Sequence, residues 1–252
     1  MKIKIFLSLL VCFTLNHTYS QKKIFNAIEK GKIEKVRQYI ADGNSLDVTY
    51  GYKVQLENGE KRTYSKTLME CAIYYEQYEI LDLLIENKGK YKNYKNQVSK
   101  AFASSTSKED LGLMKKLLAE GADINAICES CYDQDALMIA MNYKNNDIIN
   151  FLIKKGITID NRQNDFGYTL VMLAVILENK DILQTFIDKG VDVDIPDNEG
   201  WTPIMVAASN GNLELFNVLK DNKASFDGIS TDGEDILYVA VMGENLDIID
   251  II

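Results

Sequence analysis

The sequence predicts an all-α solenoid of about seven helix-turn-helix units stacked in a row, with β-hairpin fingers at their junctions. Three observations predict it. The first is a recurring motif: Gly200-Trp201-Thr202-Pro203-Ile204-Met205-Val206-Ala207 returns 33 residues earlier as Gly167-Tyr168-Thr169-Leu170-Val171-Met172-Leu173-Ala174, and 33 residues later as Gly233-Glu234-Asp235-Ile236-Leu237-Tyr238-Val239-Ala240. A shorter copy, Asp135 to Ala140, lies 34 residues before Ala174. The second is an apolar stripe at helical spacing after every copy. The third is a glycine beyond that stripe, where a helix needs a residue of positive φ to stop.

Each unit places a small residue on its first helix, at Ala27, Ala72, Ala103, Ala140, Ala174, Ala207 and Ala240. The second helices carry Ile33/Val36/Ile40, Ile80/Leu83/Leu84, Leu111/Met114/Leu117, Ile148/Ile149/Leu152, Ile182/Leu183/Phe186, Leu213/Phe216/Leu219 and Leu246/Ile249. That spacing lays one apolar face along each helix. Gly43, Gly89, Gly121, Gly156 and Gly190 stand at the expected ends; Lys223 replaces a glycine and predicts an irregular turn.

Two interruptions stand out. From Ala27 to Ala72 is 45 residues, and the excess alternates apolar and polar around Asn58-Gly59, a tight-turn pair. A long β-hairpin over about residues 49–65 is expected to project there. At the other end the last unit reads as incomplete, since the chain stops at Ile252 after Ile248-Ile249-Asp250-Ile251. A terminal unit normally keeps a polar outer face, so a piece of a longer array is favoured over an apolar end that docks on something.

Gly121-Ala122-Asp123-Ile124-Asn125 and Gly190-Val191-Asp192-Val193-Asp194, with the Thr202-Pro203 start of a first helix, resemble the ankyrin-repeat family over roughly residues 24–252. Tetratricopeptide and HEAT arrays lack these turns. The resemblance implies helix pairs that capture proteins without doing chemistry. The histidine of the family motif is replaced by Glu70, Met138, Met172, Met205 or Tyr238, so its usual hydrogen bonds are expected to be missing.

At the N-terminus, Met1-Lys2-Ile3-Lys4, the apolar run from Ile5 to Leu15 and Thr18-Tyr19-Ser20 form the pattern of a secretory signal peptide, residues 1–20, cut before Gln21. The apolar run is too short to span a bilayer, so the product, residues 21–252, is expected to be exported, periplasmic or secreted, with no membrane span. Its bacterial style agrees with the composition. Losing residues 1–20 removes two lysines and no acids, leaving 26 basic against 37 acidic residues, a charge of −11. Such a surface repels phosphate backbones, and no nucleic-acid partner is expected.

The only histidine, His17, falls in the leader. The exported chain then has no imidazole for triad catalysis or metal binding, and no glycine-rich phosphate loop. No enzyme activity, cofactor or metal is expected. Cys128-Glu129-Ser130-Cys131 has CxxC spacing but supplies only two soft ligands; a local disulfide between Cys128 and Cys131 is preferred over a redox-active or zinc-binding pair. Cys71 reads as a core thiol.

What remains is surface. Aromatic residues on the fingers and their bases, Tyr50, Tyr52, Tyr64, Tyr132, Phe166, Tyr168 and Trp201, are the candidate partner-binding residues, because tyrosine and tryptophan bury large areas at small entropic cost. The tyrosines of the long hairpin are favoured, since an extended hairpin has little else to pack on. Three functions stay open: an exported binding scaffold, the targeting arm of a larger effector, and a redox or metal protein using the CxxC pair.

Overall fold

A computed structural model describes residues 19–55 and 61–252. The leader up to residue 18 and the Asn58-Gly59 turn lie outside the described residues. The chain divides into two compact units, one ending at Ile139 and one running from Ala140 to Ile252.

In the first unit α1 (Tyr19–Glu29) and α2 (Ile33–Ala41) lead into β1 (Thr49–Gln55) and β2 (Lys61–Thr67). Then come α3 (Leu68–Tyr74), α4 (Tyr78–Glu86), α5 (Tyr94–Ser105), α6 (Leu111–Ala119), β3 (Ile127–Cys128), a 3-10 turn at Glu129–Cys131 and β4 (Gln134–Asp135). The dividing point falls in α7 (Ala136–Asn142), followed by α8 (Asn146–Lys155), α9 (Leu170–Ile176), α10 (Lys180–Asp188), α11 (Pro203–Ser209), α12 (Leu213–Asp221), α13 (Ile236–Met242) and α14 (Leu246–Ile251). Mostly helical and built of consecutive pairs, the described chain has the make-up of a repeat solenoid.

The marker alanines lie on α1, α3, α5, α7, α9, α11 and α13, and all are buried. A methyl is all that fits where first helices pack side by side, as α1 does with α3, α3 with α5, α9 with α11 and α11 with α13. Large apolar residues of the second helices, Phe186, Phe216 and Leu84 among them, fill the layer behind.

Two turn devices recur. Between the helices of each pair stands a left-handed residue: Gly31, Glu76, Glu109, Lys144, Glu178, Gly211 or Glu244. An asparagine or aspartate then caps the second helix in five pairs, Asp110 accepting from Leu113 N, Asn145 from Ile148 N, Asn179 from Ile182 N, Asn212 from Leu215 N and Asn245 from Ile248 N. Beyond the second helix Gly43, Gly121, Gly156 and Gly190 have positive φ as expected. Gly89 does not; it lies in a 3-10 turn, Lys88–Lys90, that continues past α4. Nor is Lys223 irregular: at φ 66° it takes the glycine's left-handed conformation, and Ala224 N donates to Leu219 O just as Ile157 N does to Leu152 O.

At one unit a side chain takes the histidine's place: Thr67 and Glu70 form a reciprocal capping box at α3. At three others only the N-cap side chain acts, Asp135 accepting from Met138 N, Thr169 from Met172 N and Asp235 from Tyr238 N. Thr202 differs: with Pro203 following, it makes no side-chain cap, and its buried Oγ1 has no hydrogen-bond partner.

Candidate partner-binding surface

The long hairpin runs in register from Thr49 opposite Thr67 to Gln55 opposite Lys61. Because side chains alternate across a strand, Tyr50, Tyr52, Tyr64 and Lys66 share one face, Tyr50 opposite Lys66 and Tyr52 opposite Tyr64. That face packs on its own unit. Tyr50 meets Phe25 of α1 at 5.4 Å between ring centroids. Tyr64 is only 6% exposed, enclosed by Tyr52 at 6.0 Å and Tyr132 at 5.7 Å. The Tyr52 hydroxyl donates to Ser130 O at 3.2 Å.

This corrects the expectation that hairpin tyrosines have little else to pack on. The turn at Glu129–Cys131 supplies their partner, and Tyr64 is an internal contact with no side-chain surface to offer. Tyr50, Tyr52 and Tyr132 are half-buried.

Behind the hairpin Glu70 is 1% exposed, accepting Thr67 N at 2.8 Å and the Ser130 hydroxyl at 3.2 Å. Burial pushes its carboxyl above the usual carboxylate range, against the pull of those hydrogen bonds. Lys66 is held below the usual lysine range, also by burial; its ammonium lies 3.4 Å from the centroid of Tyr74 and 5.4 Å from that of Tyr52. Cys71 is a free, buried thiol, pushed up to about 12 by burial. Burial and a thiol disfavoured as thiolate fit a core group. Cys128 and Cys131 are joined by a disulfide across the turn.

The sequence reading missed the residues that do face solvent here. Tyr74, Tyr75 and Tyr78, 43%, 38% and 40% exposed, lie at the end of α3 and the start of α4. Tyr74 and Tyr75 meet edge to face at 5.0 Å. Lys108 completes the group, donating to Tyr74 O at 2.9 Å and pairing with Glu76 at 3.0 Å. The run Tyr74-Tyr75-x-x-Tyr78 was the available signal.

In the second unit the fingers are tight turns rather than paired strands, with one β-bridge, Ile229 to Asp235, among the described residues. Asn164 Oδ1 accepts Phe166 N and Tyr168 N; Asp197 Oδ1 accepts Glu199 N and Trp201 N. Successive fingers hydrogen-bond, Asn198 N to Phe166 O and Thr231 N to Glu199 O. Gly167 is required because a Cβ there would lie 2.5 Å from Asn198 N. This stacking presents Phe166, 39% exposed, beside the half-buried Tyr168 at 5.9 Å, while Trp201 is half-buried one finger on.

Among the described residues no group of three or more His, Cys, Asp or Glu side chains is gathered as metal ligands would be. No described helix is long and apolar enough to cross a membrane.

No curated protein matches the chain. A family model described as ankyrin repeats, in three copies, matches residues 101–197 and 171–252, more than half of the sequence. The geometry agrees with that match: paired helices with small residues at their contacts and stacked, glycine-bearing fingers. The chain belongs to the ankyrin-repeat family.

Proposed function

We propose that the protein is an exported, non-catalytic scaffold of about seven ankyrin repeats, periplasmic or secreted, that captures another protein on aromatic surface at its fingers and first helices. The observation that carries this reading is a cluster of exposed tyrosines, Tyr74, Tyr75 and Tyr78, on a family fold whose members generally bind proteins. Phe166, Tyr168 and Trp201, on the fingers that precede α9 and α11, are a separate aromatic surface in the second unit. Rigid aromatics of this kind dominate interface energetics.

The test is capture by immobilised residues 21–252 from extracts and medium of the source cells, beside a control bait carrying Tyr74→Ala, Tyr78→Ala and Phe166→Ala. All three side chains are exposed, so the control should keep its helical circular dichroism. A stoichiometric protein held by the first bait and lost by the second supports the reading; equal retention by both overturns this assignment of the face.

A second reading, the targeting arm of a larger effector, draws on α13. Leu237, Tyr238 and Val241 are 47%, 53% and 56% exposed, whereas their equivalents one period back, Ile204, Met205 and Ala208, are fully buried under the next first helix. That surface suits another helix pair. The CxxC pair as a catalytic centre is disfavoured, because Cys128 is fully buried.

A further inference from the structure

The turn that the disulfide closes is also the support of the long hairpin. Cys128 is packed in a core cluster with Ala103 and Ile139, with half-buried Cys131 against it. Between them Ser130 accepts the Tyr52 hydroxyl on its carbonyl, and its own hydroxyl lies 3.2 Å from Glu70 Oε1 and 3.3 Å from Cys128 Sγ. Glu129 pairs with Lys100 of α5 at 2.8 Å. Directly after the bridge Tyr132 and Asp133 are both left-handed, at φ 61° and 53°. Two successive non-glycine residues in that region persist only where the surroundings hold them. Tyr132 in that conformation is the one whose ring closes on Tyr64.

We infer that the Cys128–Cys131 disulfide is a redox clamp on the hairpin: oxidised, it fixes Ser130 and Tyr132 beneath Tyr52 and Tyr64; reduced, it releases β1 and β2 from the turn. The reductant is a dithiol. Its thiolate attacks the sulfur of Cys131, the less buried of the two cysteines, the bond between the two cysteines breaks, and Cys128 leaves as thiolate and takes up a proton. The second thiol of the reagent resolves the mixed disulfide and frees Cys131, so two electrons and two protons pass to the protein and the reagent becomes a cyclic disulfide. The effect on partner capture rests on the function proposed above, whereas the clamp itself does not.

The test is amide hydrogen exchange read by mass spectrometry on the purified full chain, oxidised and after dithiothreitol, with alkylation and peptide mapping to prove that Cys128 and Cys131 were reduced. Loss of one hydrogen bond and one aromatic pair should speed exchange of the ladder amides in residues 49–55 and 61–67 by roughly thirtyfold. Exchange in α9 and α11 should not change. Cys131→Ser should reproduce the reduced pattern without reagent, and Tyr52→Phe in the oxidised protein should give a smaller, roughly fivefold part of it. An unchanged hairpin in the proven dithiol form overturns the clamp. So does an equal acceleration through α1, α3 and α4, which would make the disulfide a general brace for the unit. Neither outcome involves a partner, so the capture reading stands or falls separately.

Discussion

Replacing Glu70 separates what its carboxylate does as a cap from what it costs as a buried charge. Glu70→Ala leaves the Thr67 N–H without its acceptor at 2.8 Å in a residue that is 1% exposed, and removes the acceptor of the Ser130 hydroxyl. An orphaned buried donor costs about 1–3 kcal/mol and a lost ordinary hydrogen bond about 1 kcal/mol. Relief from burying a carboxylate offsets part of this, so the expected net loss is about 2 kcal/mol, in the range of N-cap deletions. Glu70→Gln keeps an acceptor for Thr67 and should lose less than about 0.5 kcal/mol by the same reasoning. Urea unfolding followed by circular dichroism gives the totals, and hydrogen exchange of the α3 amides localises them. If the glutamine variant falls as far as the alanine one, charge rather than capping is what Glu70 contributes, and the argument fails. The wild type adds a pH signature. Its folded carboxyl titrates above the unfolded value because of burial, so the folded chain holds the proton more tightly. The associated stability is fully present below the unfolded pKa and lost as pH rises through the folded one. That slope should vanish in Glu70→Gln.

Thr202→Val should stabilise by about 1 kcal/mol in denaturant titration, because it replaces a buried hydroxyl that has no partner with a methyl of the same shape; a loss would mean the hydroxyl is satisfied in solution. Gly243→Ala should cost about 2–3 kcal/mol, since its Cβ would stand 2.1 Å from Ala208 O, backbone that cannot step aside. Gly43→Ala, at φ +75° with open space around it, should cost only about 1 kcal/mol, and equal losses would refute the packing argument. Phe216→Ala, fully buried on α12, should lose about 3–5 kcal/mol in the same assay.

The repeat was legible because stacking imposes the same demand on every unit: a methyl at each contact between first helices, and a residue tolerant of positive φ beyond the second helix. Where the demand was geometric but the residue was not glycine, the letters misled. Lys223 adopts left-handed backbone because the turn beyond α12 requires it, at about 1–2 kcal/mol. The hairpin was equally legible as a pair of strands, since alternation and a turn dipeptide are local signals. Which way its tyrosines face was not. That depends on Ser130, 78 residues beyond Tyr52, and no pattern within the hairpin encodes it. The exposed cluster at Tyr74, Tyr75 and Tyr78 was overlooked for the opposite reason. Three tyrosines bridging two helices look like core until the helix faces are fixed.

Burying the hairpin tyrosines changes where binding energy can reside. A ring already enclosed, as Tyr64 is, gains nothing from a partner, whereas a ring that is exposed yet held still loses little freedom on binding. Tyr74 meets both conditions. Lys66 lies over its face at 3.4 Å, Lys108 fastens its carbonyl, and Tyr75 packs against its edge, yet it remains 43% exposed. The Lys66 ammonium is partly desolvated there, so a carboxylate brought by a partner would meet a cation that has already lost much of its water, and the attraction would be stronger than at an open surface. On a chain of net charge −9, that local cation also selects against partners that present a basic surface at this point. The hairpin's contribution is therefore indirect: packed on its own unit, it holds Lys66 and hence Tyr74 in place, and whatever loosens the hairpin loosens the surface beside it.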